Sequence, residues 1–164
     1  MFLNDEQTAL ANEIAELLVA RGETVAVAEA TAGGLVSAAL LSVAGASSYY
    51  KGGGVVYTRA SRTALAGVDP REYENYRGTT PEMMGSLAES MRTRLDATWC
   101  IAESGTAGPT GGRFGSEVGR VTIAVAGPVA RVDVFRTGTA DRVANMSEFA
   151  TLTLRYLRDA IREA

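Results

Sequence analysis

Short apolar segments of strand type alternate along the chain with segments of helical periodicity. Residues 24–30 (TVAVAEA), 54–58 (GVVYT) and 98–103 (TWCIAE) are rich in small or β-branched side chains and are predicted strands. Helical patterns precede the first strand and occupy both intervals between the strands. Because strands connected through helices run parallel, with helices packed on the sheet faces, this order predicts a largely parallel sheet between two helical layers.

The last third of the chain departs from this alternation. Residues 118–126 and 129–135 are two further predicted strands, and the tight Gly127-Pro128 connection between them predicts an antiparallel hairpin. A final helix is predicted over residues 141–161. The expected fold class is therefore α/β, a three-layer α/β/α arrangement with a mixed, mostly parallel sheet of about five strands. The length favours one domain over residues 1–164.

Composition excludes several classes of chemistry. The chain has no histidine, one cysteine, one lysine (Lys51) and fifteen arginines. Histidine-dependent triads and dyads, zinc sites built from Cys and His, and disulfides within the chain are therefore impossible. No metal and no cofactor is implied. The net charge of −3 gives no sign of a nucleic-acid-binding surface.

The N-terminal sequence MFLNDEQTAL lacks the positive region that opens a secretory signal. No apolar run approaches the roughly 18 residues that a membrane helix needs. We therefore expect a cytoplasmic chain with no membrane partner. Because homo-oligomers are common among soluble proteins, a homo-oligomer is the default expectation.

Glycine-rich segments directly follow two of the predicted strands. Residues 28–34 (AEATAGG) lead into the second helix, and residues 104–112 (SGTAGPTGG) follow the third strand. Backbone N–H groups at such junctions bind phosphate or carboxylate groups. A tight turn and a flexible surface loop are the structural alternatives. Two such segments after neighbouring strands favour a pocket for a phosphate-bearing ligand at that sheet edge.

A third segment, residues 51–62 (KGGGVVYTRASR), combines a tyrosine with two arginines. Tyr57 lies near a strand end, and Arg59 and Arg62 lie on the following helical turn. A phenol and two guanidinium groups are suited to holding a phosphate or a carbonyl oxygen. Taken alone, these residues are more typical of a solvated helix face beside a half-buried tyrosine.

These three segments, in this order, resemble the C-terminal domain of the CinA family, also known as the nicotinamide-nucleotide amidase family. The family motifs A-E-S-C-T-G-G, G-G-V-V-T-Y-S-N-x-A-K and S-G-I-A-G-P-x-G-G correspond to residues 28–34, 52–62 and 104–112, and residues 118–121 resemble the family's V-G-T-V strand. The resemblance covers nearly the whole chain. It implies a three-layer α/β/α domain of a family that hydrolyses nicotinamide mononucleotide to nicotinate mononucleotide and ammonia.

The resemblance also implies a serine nucleophile, a lysine as its base and a tyrosine nearby. Ala30 stands at the serine position and Arg62 at the lysine position. Alanine has no nucleophile, and arginine stays protonated at physiological pH, so it cannot act as the general base. Arg59 replaces the motif asparagine, and Ala32 replaces the motif threonine.

The residues and the resemblance together define a predicted site. Thr31, one residue from the missing serine, and Tyr57 are the candidate catalytic residues, with Ser61 and Ser104 as other hydroxyls. The predicted ligand-binding residues come from all three segments and are Glu29, Ala30, Gly33, Gly34, Arg59, Arg62, Ser104, Gly105, Thr106, Gly108, Gly111 and Gly112.

Three functions follow as hypotheses. The favoured one is a relative of the amidases that keeps a nucleotide or phosphate pocket, with weak or absent amidase activity. The second is an active amidohydrolase that uses a relocated hydroxyl such as Thr31. The third is a partner-binding role related to competence or DNA damage, because the family also carries the label competence- and damage-inducible.

Overall fold

The computed structural model describes residues 1–164 and contains one five-stranded sheet with helices on both faces. The strands are β1 (Val25–Glu29), β2 (Tyr50–Val55), β3 (Trp99–Gly105), β4 (Arg120–Ala126) and β5 (Arg131–Arg136). The α-helices are α1 (Asp5–Arg21), α2 (Leu35–Leu41), α3 (Arg59–Ala64), α4 (Pro81–Arg94) and α5 (Arg142–Glu163), with short 3-10 turns at Ala46–Ser48 and Pro70–Tyr73.

The sheet has the strand order β2-β1-β3-β4-β5. The central strand β1 pairs in parallel with β2 and β3, whereas β4 is antiparallel to both β3 and β5. Four strands therefore run in one direction, and only β4 opposes them. The predicted α/β class, the mixed and mostly parallel sheet and the C-terminal hairpin are confirmed.

Side-chain size differs between the two faces of the sheet. On one face, Val27 of β1 and Ile101 of β3 pack in a core with α1, α2 and α5. On the other face, Ala28 and Ala102 pack in a second core with α4. Because successive strand residues point to opposite faces, this alternation places the larger side chains against α1, α2 and α5 and the smaller ones against α4. No helix is long and apolar enough to cross a membrane.

Strand β2 is where the predicted boundaries were wrong. The pattern predicted a strand over residues 54–58, but the observed strand is Tyr50–Val55 and includes three consecutive glycines. Gly53 pairs with Val27 of β1, and a Cβ atom added at Gly53 would lie 2.4 Å from the Val27 carbonyl oxygen. Gly53 therefore permits a close approach of two strands, which the predicted strand over residues 54–58 did not include.

The second helix also begins later than the sequence predicted. The first glycine motif suggested a start at Gly33, but α2 begins at Leu35. Gly33 and Gly34 have φ values of 70° and 104°, which lie in the left-handed region. These two residues form the turn between β1 and α2, where a larger side chain would be strained.

Gly53→Ala is expected to lower the free energy of unfolding by about 2–3 kcal/mol, because the added methyl group meets the backbone of β1. Urea unfolding followed by circular dichroism measures this change. Gly54→Ala is the matched control, since its Cβ would meet only side chains at 3.8 Å or more. The control should change the free energy by less than about 1 kcal/mol, and equal losses in both variants would contradict the close approach.

Candidate functional site

A cleft of about 880 Å³ lies at the edge of the sheet where β1, β2 and β3 end. Residues that follow each of these strands line it, together with residues 76–79 and residues 112–116. The cleft therefore occupies the carboxyl edge of the parallel strands, where α/β sheets bind ligands. No group of His, Cys, Asp or Glu side chains in the structure is arranged to hold a metal ion.

The structure brings many of the predicted site residues together in this cleft. Eight of them line it: Thr31, Tyr57, Arg59, Arg62, Ser104, Gly105, Thr106 and Gly112. The three sequence segments thus meet at one place, as expected from their positions after neighbouring strands.

The other predicted residues lie outside the cleft lining: Glu29, Ala30, Gly33, Gly34, Gly108 and Gly111. Ala30 is 3% exposed, and its backbone amide donates a hydrogen bond to Glu103. Gly108 faces the segment before α5, because a Cβ there would lie 2.7 Å from the Ala140 carbonyl oxygen. These six residues shape the loops around the cleft.

The amides at the start of α2 are already occupied by a protein carboxylate. One Glu29 oxygen accepts hydrogen bonds from the amides of Gly34 (2.7 Å) and Val36 (3.1 Å), and the other accepts from Ser37 at 2.9 Å. Glu29 is 1% exposed. The strand–glycine–helix junction, predicted to bind a ligand anion, therefore holds the side chain of Glu29 at those amides.

Glu103 holds the turn that leads from β1 into α2. One carboxyl oxygen accepts hydrogen bonds from the amides of Ala30 (3.1 Å) and Ala32 (3.0 Å), on either side of Thr31. The other oxygen is buried without a hydrogen-bond partner. Burial raises the pKa of Glu103 to about 7, against the pull of the two amides. The single acid inside the apolar strand segment TWCIAE was the available sequence signal for this residue, and it was missed.

Thr31 is fixed by the backbone of β3. Its hydroxyl donates a hydrogen bond to the Gly105 carbonyl oxygen at 2.8 Å and accepts one from the Gly105 amide at 2.9 Å. The side chain lines the cleft, but its proton is directed at a carbonyl group. No basic side chain is hydrogen-bonded to it, so the arrangement lacks the partner that activates a nucleophilic hydroxyl.

Arg62 lies at the floor of the cleft and is 4% exposed. Its Nε donates to the Val56 carbonyl oxygen at 3.1 Å, and its Nη2 donates to the Ser104 hydroxyl at 2.8 Å. The interpretation of this residue as part of a solvated helix face is therefore wrong. Tyr57, in contrast, is 59% exposed at the cleft wall, and not half-buried as expected.

Four arginines line the cleft: Arg59, Arg62, Arg113 and Arg120. None of them forms an ion pair, whereas eight other arginines do, namely Arg21, Arg71, Arg92, Arg131, Arg136, Arg155, Arg158 and Arg162. No Asp or Glu lines the cleft. A chain with a net charge of −3 thus concentrates uncompensated positive charge in its main cleft.

The rim of the cleft contains residues that the sequence did not identify. Tyr76 and Phe114 are in edge-to-face contact with ring centroids 5.6 Å apart, and the Arg59 guanidinium lies 5.3 Å from the Tyr76 ring centre. The remaining unidentified lining residues are Thr58, Ala60, Gly78, Thr79, Arg113, Ser116 and Arg120. A sequence signal existed for three of them: Thr58 and Ala60 lie within the motif segment of residues 51–62, and Arg120 replaces the threonine of the V-G-T-V pattern.

Comparison with known proteins agrees with the motif order. The family model of the CinA C-terminal domain matches residues 7–161. The chain belongs to this family. A CinA-like protein of Prochlorococcus marinus is 43% identical over 123 residues, which cover 75% of this chain and 29% of that protein. A CinA-like protein of Desulfosudis oleivorans is 36% identical over 160 residues, covering 94% of this chain and 38% of that protein. The chain thus spans about a third of the length of these curated CinA relatives.

Solved structures of the CinA superfamily have the same fold. A superfamily protein from Klebsiella pneumoniae superposes with a TM-score of 0.89 at 24% identity, covering 96% of this chain and 99% of that chain. A competence/damage inducible protein from Agrobacterium tumefaciens superposes with a TM-score of 0.87 at 26% identity, covering 98% of both chains. The three-layer arrangement of this chain is therefore that of the CinA superfamily.

The raised pKa of Glu103 makes the stability of this CinA domain depend on pH. Its value of about 7 exceeds the usual 4.5, so its contribution to stability is complete below about pH 4.5 and is lost as the pH rises to about 7. Glu103→Gln removes this titration while keeping an oxygen for the amides of Ala30 and Ala32. As the pH rises from about 5 to about 8, the free energy of unfolding of the unmodified chain should fall by roughly 2–3 kcal/mol relative to that of the variant.

Urea unfolding of both proteins at the two pH values measures this difference. Parallel pH dependence in the two proteins would show that Glu103 has an ordinary pKa. Glu89→Gln is a suitable control, because Glu89 is exposed and its pKa is lowered by the Arg92 guanidinium. Because Glu89 titrates at lower pH, the difference in free energy of unfolding between Glu89→Gln and the unmodified chain should stay constant between about pH 5 and about pH 8.

Proposed function

We propose that this CinA domain binds a phosphate-bearing pyridine nucleotide and has weak or no ordinary amidase activity. The observation that carries the proposal is the cleft itself. Four arginines without carboxylate partners line it, and one of them, Arg62, occupies the position that the family motif gives to the catalytic lysine. The site is therefore suited to binding an anion but lacks the expected base.

The charge of the cleft supports a phosphate-bearing ligand. Guanidinium groups form strong, often bidentate hydrogen bonds with phosphate and carboxylate oxygens. Arg59, Arg113 and Arg120 make no ion pair or hydrogen bond through their side chains to the rest of the protein, so they are free to contact a ligand. A volume of about 880 Å³ is within the range of pockets that hold small molecules and cofactors.

The chemistry of the turn after β1 supports a loss of ordinary amidase activity. Ala30 has no hydroxyl, and the neighbouring Thr31 hydroxyl is engaged in two hydrogen bonds with Gly105. Arg62 is permanently protonated and cannot accept the proton of a nucleophile. The loss of both nucleophile and base removes the two groups that a serine–lysine amidase requires.

Ammonia release from nicotinamide mononucleotide by the purified chain tests the enzymatic part of the proposal. The rate should be equal to or only slightly above the rate without protein, because no nucleophile–base pair is present. The double variant Ala30→Ser, Arg62→Lys restores both motif residues, and a gain of ammonia release in it would show that the rest of the site is intact.

The competing hypothesis, an amidase that uses Thr31, predicts a different result in the same assay. Robust ammonia release by the unmodified chain that disappears in Thr31→Ala would overturn the proposal. Thr63→Ala, on the same side of the fold but outside the cleft lining, is the matched threonine control and should leave any such activity unchanged.

A further inference from the structure

We propose, resting on the function proposed above, that the floor of the cleft selects a carboxylate over a carboxamide, so that nicotinate mononucleotide binds more tightly than nicotinamide mononucleotide. The selecting groups are the Arg62 guanidinium and the Ser104 hydroxyl. Their arrangement presents several hydrogen-bond donors to a ligand group at the floor, and one acceptor, the second lone pair of the Ser104 hydroxyl.

The donors at the floor come from a fixed pair of side chains. Arg62 uses one N–H on the Val56 carbonyl oxygen and one on Ser104, and its guanidinium also lies near the buried Tyr73 hydroxyl. At least two of its five N–H groups therefore have no protein acceptor. Ser104 accepts from Arg62 and donates to no protein atom, so its own O–H is free. Both residues line the cleft and are less than a tenth exposed.

A carboxylate matches this pair better than a carboxamide does. An ionised carboxylate only accepts hydrogen bonds, whereas a carboxamide carries an NH₂ group that must donate two. At the floor, the Arg62 guanidinium only donates, so the second lone pair of Ser104 is the one acceptor that this pair offers to the NH₂ group, and one amide N–H is left without a partner from the pair. The Thr31 hydroxyl, which also lines the cleft, is already engaged in donating to and accepting from Gly105. Burial of an amide donor without an acceptor is costly, so the acid is favoured.

No protein carboxylate neutralises Arg62 from within the cleft. Glu103 and Ser104 are consecutive strand residues, so their side chains point to opposite faces of the sheet. The Glu103 oxygens face the turn amides of Ala30 and Ala32. A buried cation without a paired anion is unfavourable, and a ligand carboxylate would supply that anion.

A second anionic group has separate partners at the rim. Arg59 and Arg113 are exposed and Arg120 is half-buried, and all three line the same cleft. Arg59 follows β2 and Arg120 is the first residue of β4, and these two strands flank β1 and β3 in the sheet. The rim arginines therefore come from both sides of the cleft. A ligand with a carboxylate at the floor and a phosphate at the rim satisfies both sets of arginines.

Calorimetric titration with nicotinate mononucleotide and nicotinamide mononucleotide tests the selection. The acid should bind roughly tenfold to a hundredfold more tightly, as expected for a charge-assisted hydrogen bond to a buried group. Arg62→Gln should reduce this ratio to near one. Arg94→Gln is the matched control, since Arg94 also lacks an ion pair but lines no part of the cleft, and it should leave the ratio unchanged.

The outcomes separate this inference from the proposal on which it rests. Equal affinity for the two nucleotides, or tighter binding of the amide, would overturn the selection and leave nucleotide binding standing. Binding of neither nucleotide would overturn both. If circular dichroism shows that Arg62→Gln does not fold, Ser104→Ala decides the question, because loss of the free hydroxyl should lower the ratio several-fold. An unchanged ratio in that variant would contradict the role of the floor pair.

Discussion

Two buried carboxylates hold the turn on which the site is built. Glu29 and Glu103 are neighbours on β1 and β3, and together they accept hydrogen bonds from five backbone amides between residues 30 and 37. This arrangement places Thr31 against the backbone of β3 and fixes the start of α2. It also uses the amides that would otherwise attract an anion. The positive charge that lines the cleft is that of arginine side chains.

The fold supplies those side chains from a short helix beside the sheet. Thr58 and Ser61 form a reciprocal capping box that starts α3 directly after β2. From this helix Arg62 reaches back to the end of β3, where it contacts Ser104. The same helix carries Arg59 to the rim, against Tyr76. At the position of the motif lysine, this framework therefore presents a permanently charged guanidinium to the cleft.

The fold was largely predictable because its strongest patterns are local. The buried strands β1 and β3 and the hairpin of β4 and β5 all follow from nearby residues, and all are observed. Strand β2 was misplaced because Gly53 is explained by the close backbone of β1. The position of that strand depends on a tertiary contact, which the sequence does not show.

The site was predictable where residues follow strands and unpredictable where loops meet in space. Motifs after β1, β2 and β3 identified Thr31, Arg62 and Ser104 as neighbours of one cleft. Tyr76 and Phe114 lie far apart in sequence and meet only in the folded chain. The burial of Arg62 was also hidden, because one of its acceptors is Ser104, 42 residues further along the chain.

The most direct test of the central claim, that the arginine-lined cleft is an anion-binding site, is a crystal structure of this CinA domain with nicotinate mononucleotide. The carboxylate should lie within hydrogen-bond distance of Arg62 and Ser104, with the phosphate contacting arginines at the rim. A nucleotide bound elsewhere on the domain, or in the cleft with no arginine contact, would contradict the claim.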